Sequence, residues 1–237
     1  MNILLTICAR GGSKGVKNKN IKELAGKPLM YYTIKVAKEW DLANKIICST
    51  DSDEIAEVAK EYGVDVPFKR PEILATDTSG KVPVIRHALI EAEKTYGKEF
   101  DIVVDLDVTS PLRTVTDLNN ALNQFIKQDA EVLFSVVDAR KNPYFNMIEL
   151  NGDGYATISK KLDHNILRRQ DAPEVYEANA SIYFYKRSFL LNEDNGTVLS
   201  SKRAVIFKME DSKSIDVDTE MDFKFIEFLI KNGVITI

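Results

Sequence analysis

The feature that most constrains this chain is a basic, glycine-rich stretch placed directly after its first apolar run. Residues 3 to 8 read as a buried strand, and residues 28 to 40 read as a helix with proline in its first turn. Between them Arg10, Lys14, Lys17, Lys19, Lys22 and Lys27 stand against Glu23, in a chain of 237 residues whose net charge is -4. That is a local anion site on an acidic protein. Gly11, Gly12 and Gly15 let the backbone approach a ligand with converging N–H groups, and Ser13 adds a hydroxyl donor. The set suits a polyphosphate. It is neither a Walker loop, since no Gly-Lys-Ser/Thr follows a glycine four residues upstream, nor a dinucleotide fingerprint, since the glycine spacing is wrong.

Composition excludes several classes. A content of 44% hydrophobic and 29% charged residues is that of an ordinary globular chain, long enough for a sizeable core. No long basic stripe exists beyond the glycine loop, which argues against nucleic acid or a membrane surface as partner. No apolar run approaches a membrane span, and the first is too short for a signal peptide. Cys8 and Cys48 fall in predicted buried strands and read as small hydrophobes, so a reduced, cytoplasmic protein is expected.

Further along, the pattern predicts strands over 45–49, 65–68, 102–106 and 131–137, alternating with helices over 51–62, 84–96 and 117–127. Asp51 and Glu54 are placed as a capping pair for the first of these helices. This rhythm predicts an α/β fold, a mostly parallel sheet with helices on both faces and ligands at the carboxyl ends of the strands. After Asp138 it changes. A hairpin is expected over 146–159, strands over 180–185 and 204–209, and a last helix over 220–232 with Met221, Phe225, Phe228 and Leu229 as its apolar stripe. The chain reads as a single domain over 1–237, with 139–178 a flap or insertion.

Two acidic pairs close predicted strands: Asp105 with Asp107, and Asp216 with Asp218. Residues i and i+2 of an extended segment point to one side, so each pair can present two carboxylates to one ion, and hard oxygens beside a phosphate loop suggest magnesium. Aspartates at such places also form turns and helix caps. Arg70, Arg113, Arg140, Arg168 and Arg169 fall in predicted loops, and the Arg168–Arg169 pair is the most suggestive grip for an anionic substrate. His87 and His164 suggest neither a metal ligand nor a base, and no zinc spacing or Gly-x-Ser-x-Gly elbow is present.

The opening run from Ala9 to Gly15 with Lys19 and Asn20, then Lys69-Arg70-Pro71, Thr109-Ser110-Pro111-Leu112-Arg113, Arg169-Gln170, Asn179 to Tyr183, and Asp216 with Asp218 occur in order along the chain. Together they resemble the CMP-acylneuraminate synthetases, or acylneuraminate cytidylyltransferases. The resemblance implies a Rossmann-like nucleotidyltransferase that couples CTP to a nine-carbon 2-keto sugar acid and releases pyrophosphate. It implies that Arg10, Gly11, Gly12, Ser13, Lys14, Lys19 and Asn20 hold the triphosphate, with Arg70 and the neighbourhood of Ser79 on the nucleotide. It gives Asp216 and Asp218 to Mg2+, and Asp107, Arg169, Asn179 and Tyr183 to the sugar, Arg169 gripping its carboxylate. Arg10, Lys14 and Asp216 would carry the chemistry. The family is typically a homodimer, and the β-rich flap resembles the part that reaches over the partner's site.

One departure narrows the resemblance. Sialate-using members show Gln-Pro where this chain has Asp107-Val108, and with the run from Asn142 to Asn146 the chain looks more like the branch that activates legionaminic acid. The octulosonate-using cytidylyltransferases carry a different opening loop. Two other readings stand beside this one: a metal-dependent glycosyltransferase that consumes a nucleotide sugar, for which Asp105 and Asp107 would be the metal motif, and a non-catalytic nucleotide-binding module.

Overall fold

The computed structural model describes residues 1–13 and 15–235. Strand β1 (Ile3–Cys8) feeds a loop that ends in a miniature hairpin, β2 (Glu23–Leu24) and β3 (Lys27–Pro28), and then helix α1 (Leu29–Glu39). Strand β4 (Lys45–Ser49), helices α2 (Asp53–Glu61) and α3 (Lys81–Tyr96), strand β5 (Ile102–Leu106), helix α4 (Val115–Lys127) and strand β6 (Val132–Asp138) follow. A hairpin of β7 (Ile148–Leu150) and β8 (Ala156–Ile158) stands outside the main sheet. The chain then returns through β9 (Tyr176–Lys186), the short α5 (Arg187–Leu191), β10 (Ala204–Lys208) and α6 (Glu220–Lys231).

The main sheet has six strands in the order β10-β6-β9-β5-β1-β4. Pairings are parallel except at β9, which runs against both its neighbours. Successive side chains of β1 leave on opposite faces: Ile3, Leu5 and Ile7 join Leu29, Ile34, Leu118 and Phe125, whereas Leu4 joins Ile85 and Leu89. Both faces are therefore covered, which is why β1 reads as a nearly unbroken apolar run and not as an alternation. The parallel strands β1, β4, β5 and β6 end at Cys8, Ser49, Leu106 and Asp138, so the loops that follow them share one rim.

The reversed strand β9 reaches that rim with its first half and is deformed there. Register jumps between Phe134 and Val136 of β6, where β9 accommodates residues 179–182, and Ala180 takes a φ of 46°. A positive φ outside glycine is costly, and such bulges re-aim side chains. Ser135 holds this one in place: its hydroxyl accepts from the Ile182 N–H at 2.9 Å and donates to Asn179 Oδ1 at 2.6 Å.

The fold class predicted from the sequence is borne out, with local corrections. The expected strand over 65–68 reduces to one bridge between Ile47 and Asp65. Helix α2 is capped by Ser52, whose hydroxyl accepts from the Ile55 N–H at 3.4 Å, and not by Asp51. Helix α3 begins three residues before the expected start, because Pro83 falls in the first turn, where its missing N–H would be unpaired anyway. Helix α4 begins two residues early, at a capping box in which Thr114 Oγ1 accepts from the Asp117 N–H and the Asp117 carboxylate accepts from the Thr114 N–H. Asp216 and Asp218 lie in an extended segment that joins no sheet, held by a 2.8 Å hydrogen bond from the Val217 N–H to the Thr109 carbonyl.

The apolar stripe of α6 is also corrected. Met221, Phe225 and Phe228 are exposed, while Phe223 and Ile226 face the core. Chemical denaturation should separate the two faces: Ile226→Ala should cost about 2–4 kcal/mol by leaving a cavity, and Met221→Ala within about 0.5 kcal/mol of nothing. Equal losses would contradict this orientation of α6.

Candidate active site

The basic loop and the second acidic pair, at opposite ends of the chain, meet on the rim. Lys19 Nζ donates to the Val217 carbonyl and lies 3.4 Å from Asp218 Oδ1, 199 residues away in sequence. Lys22 pairs with Glu220 at 2.6 Å and lies 4.6 Å from the centre of the Phe223 ring, which fastens the loop to the start of α6. Between them Gly15 presses on the acidic segment so closely that a Cβ there would stand 2.1 Å from the Asp218 carbonyl oxygen. Only glycine fits at this approach.

The rest of the loop is shaped by its own bonds. Asn20 Nδ2 donates to the Arg10 carbonyl at 2.9 Å, and Arg10 reaches across to Asp77 at 2.5 Å and the Ala75 carbonyl at 3.5 Å. That contact brings the loop carrying Ser79 beside the glycine loop. Ser79 itself closes its own turn, with Oγ donating to the Ile73 carbonyl at 3.0 Å and accepting from the Thr76 N–H at 3.1 Å. Gly12 has a φ of 69°, and the Gly11 N–H donates to Asp51 Oδ1 at 3.0 Å, which is what Asp51 does in place of capping α2. Lys14 lies outside the described residues.

The two acidic pairs differ in kind. Asp105 and Asp107 do reach one cation, as their spacing predicted, but the cation is Lys81: Nζ is 3.0 Å from Asp105 Oδ2 and 2.6 Å from Asp107 Oδ1. The other oxygen of Asp105 accepts from the Thr6 hydroxyl at 2.7 Å. This pair meets its cation within the protein itself. Asp216 is otherwise: its Oδ1 is buried and has no hydrogen-bond partner among the described residues, whereas Asp218, two residues on, is 74% exposed at its side chain. Burial pushes the Asp216 carboxyl above its ordinary value, opposed by a hydrogen bond from Thr109 and reinforced by the nearby charge of Asp218.

Three polar residues of the motifs are buried and bonded to the backbone around the site. Arg70 is buried and donates from Nε to Ser49 Oγ at 3.1 Å and from Nη2 to the Ser49 carbonyl, which ties its loop to the end of β4. Arg113 is buried beneath Asp107 and donates to its carbonyl, to Thr33 Oγ1 at 2.9 Å and to Ser181 Oγ at 3.0 Å. Burial brings its guanidinium down to about 10. Ser110 Oγ donates to the Asn179 carbonyl at 3.0 Å, so the Thr-Ser-Pro-Leu-Arg motif clamps the bulged part of β9 to the floor of the site.

Two clefts open around Asp218. One, of about 320 Å³, is lined by Arg10, Ser13, Gly15, Lys19, Asn20, Asp107 and Asp218 among others. The second, of about 440 Å³, is lined by Asp216, Asp218, Asn179, Arg140 and Phe225 among others. Tyr183 is buried and lines neither cleft, its ring centre 4.4 Å from the Lys81 ammonium. Arg169 is not brought to either: it donates to the Ala139 carbonyl at 2.7 Å in a separate hollow with Lys208, and its neighbour Arg168 is paired with Asp171 at 2.8 Å. Lys81 is the site residue that the sequence reading missed. Its signal was the Gly80-Lys81-Val82-Pro83 run as a helix start, which would have placed an ammonium at the N-terminus of α3.

A family model described as cytidylyltransferase matches residues 4–235. The chain belongs to the cytidylyltransferase family. It is 47% identical over 229 residues to "post-translational flagellin modification protein B" of Campylobacter coli, a match covering 97% of this chain and 95% of that one. It is 44% identical over 228 residues to "CMP-N,N'-diacetyllegionaminic acid synthase" of Campylobacter jejuni, covering 96% and 94%. The motif resemblance is thus borne out, and a relative on the legionaminate side supports its narrower form. A solved structure of "CMP:2-keto-3-deoxy-manno-octonic acid synthetase complexed with CTP" superposes with a TM-score of 0.73 over 98% of this chain and all of that one, at 15% identity, and shares the fold.

In this cytidylyltransferase the Gly15 contact has a direct test. Gly15→Ala should drive the loop and the Asp218 segment apart and lower stability by about 1–3 kcal/mol on denaturation. Gly152→Ala, at a position with open space around it, should be close to neutral. A Gly15→Ala protein as stable as the parent would show that the two segments are not in contact.

Proposed function

We propose that this cytidylyltransferase couples CTP to a nine-carbon 2-keto sugar acid of the sialic or legionaminic type, giving the CMP-sugar and pyrophosphate. The observation that carries the reading is the closure of the cationic loop onto Asp218, which sets Arg10, Ser13, Lys19 and Asn20 around one cleft with that carboxylate, while Asp216 lines the adjoining cleft that shares Asp218. The name of the 44% identical relative supports legionaminic acid as the substrate type. The triphosphate takes the cleft of Arg10, Ser13, Lys19 and Asn20, with Gly11, Gly12 and Lys14 of the same loop, and the base extends toward the loops of Arg70 and Ser79. The sugar takes the side of Asp107 and Asn179, with the buried Tyr183 ring against Lys81.

The anomeric hydroxyl of the sugar acid attacks the α-phosphorus of CTP in line; a new O–P bond forms as the bond to pyrophosphate breaks. Such transfers ask the protein mainly for alignment and charge compensation. Arg10 is half-exposed in its pairing with Asp77, and an exposed ion pair is worth little, so its guanidinium can exchange that partner for a phosphate. Lys19 holds the acidic segment against the loop. Arg169 would reach the sugar's carboxylate only by leaving the Ala139 carbonyl or from another subunit.

Asp216 and Asp218 fit a divalent cation. A buried, unpartnered carboxylate oxygen beside an exposed carboxylate is a poor arrangement for the protein alone and a good one for a hard ion. When bound there, magnesium would offset phosphate charge. Among the described residues no cluster of three or more acids, histidines or cysteines forms, and Asp216 and Asp218 are the side chains that would hold the ion. Lys81 occupies the Asp105 and Asp107 pair, which removes the feature that favoured a glycosyltransferase.

The rest of the molecule supports a dimer in the cytoplasm. The 139–178 segment exposes Met147, Ile148, Leu150, Tyr155 and Leu167, an apolar surface suited to a second copy, and CTP is a cytoplasmic substrate. Among the described residues no helix is long and apolar enough to cross a membrane. Cys8 and Cys48 are free, and burial pushes both thiols up, Cys48 to about 12, which leaves them inert.

The test is pyrophosphate release from CTP and magnesium over a panel of sialic, legionaminic, pseudaminic and octulosonic acids. Turnover should be fastest with a legionaminic-type acid and vanish with chelator; CTP binding without release on any sugar would leave a binding module. Asp216→Asn and Lys14→Ala should each lower turnover on the order of 100-fold with little change in melting temperature.

A further inference from the structure

Lys81 belongs to none of the motifs that carry the family resemblance, yet it holds Asp107, which lines the cleft. It stands at the first position of α3 and sends its ammonium to Asp105, Asp107 and the face of Tyr183. Asp105 is fully buried with one donor on each oxygen, Thr6 and Lys81, and is out of a ligand's reach. Asp107 is different. Its Oδ1 is held by Lys81, while its Oδ2 accepts no hydrogen bond among the described residues and the side chain lines the cleft beside Ser13, Asn20 and Asp218.

We infer that Lys81 is a positioning residue for the sugar acid, acting through Asp107: it fixes one carboxylate oxygen and leaves the other facing the cleft as an obligate acceptor. The substrate must therefore bring an N–H or O–H donor to that point, an acylamino or hydroxyl group of the sugar. The inference rests on the cytidylyltransferase reading and deepens it.

Charge explains why such an acceptor is tolerable beside a site for anions. Asp105 and Asp107 on one ammonium leave one net negative charge, and the Arg113 guanidinium beneath the Asp107 carbonyl brings the cluster to neutrality. A donor that reaches Asp107 gains a charge-assisted hydrogen bond. Ligand groups that offer only oxygen lone pairs, phosphates included, meet repulsion and an unpaired acceptor, and are turned toward the cationic side of the cleft. One charge cluster thus separates the two substrates.

Steady-state kinetics of Lys81→Met, Asp107→Asn and the double variant test this, with CTP and the best sugar acid of the panel varied in turn. Each single variant should raise the sugar KM at least about tenfold and leave the CTP KM within about twofold, and the double variant should be no worse than the worse single one. Lys81→Arg keeps the cation and should show a smaller rise; it carries the test if Lys81→Met does not fold, and an unchanged sugar KM in it together with an unchanged one in Asp107→Asn overturns the inference. Losses that multiply in the double variant, or equal rises in both KM values, overturn it too. A parent enzyme that releases no pyrophosphate with any sugar acid overturns the functional reading instead, and the inference falls with it.

Discussion

The whole site depends on one contact between distant parts of the chain: the backbone of Gly15 and the ammonium of Lys19 against the carbonyls and carboxylate of the Val217–Asp218 segment. A loop rich in lysine is repelled by itself and gains from an acidic partner. An acidic pair with a buried, unpartnered oxygen gains from a nearby cation. Each therefore offsets what is unfavourable in the other, and the rim of a parallel sheet is where the topology lets the end of the first strand meet the segment before the last helix. Lys22 with Glu220 extends the same logic by one turn of α6.

Beneath that contact lies a second level of organisation in which polar residues serve geometry. Arg113, Ser110, Thr33, Ser135 and Ser181 spend their hydrogen-bonding capacity on the bulge of β9 and the loop after β5. Buried polar groups of this sort specify one arrangement only when all their members are satisfied. The strained φ of Ala180 persists because Ser135 and Ser110 hold its neighbour Asn179 from both sides, through its side-chain oxygen and its carbonyl. Asn179 borders the second cleft but stays buried, its side-chain amide donating to Met209 Sδ at 3.3 Å.

Much of this could be read from the sequence, and the failures have physical causes. The strands and their parallel order followed from apolar runs alternating with helical stretches, and the charge of the loop from Arg10 onward gave the character of the site. The i, i+2 spacing of Asp105 and Asp107 correctly put both carboxylates on one side, but no spacing rule says whether the cation they meet is a metal or a lysine 24 residues upstream of Asp105. Arginines in predicted loops looked like exposed grips, yet Arg70 and Arg113 are buried with partners inside the protein, because burial is a tertiary property. The stripe of α6 was misjudged for a related reason: Phe223 and Ile226 are no more apolar than Phe225 and Phe228, and only packing decides which pair faces inward. Asp51 looked like a cap and instead holds Gly11, since a carboxylate near a helix start can serve a neighbouring loop equally well.

A crystal structure of the protein with CTP and manganese tests the central claim most directly. The account predicts an anomalous peak between Asp216 and Asp218, with the triphosphate lying along the loop from Arg10 to Asn20. Metal bound between Asp105 and Asp107 in place of Lys81, or a nucleotide lodged away from Lys19 and Asp218, would contradict it.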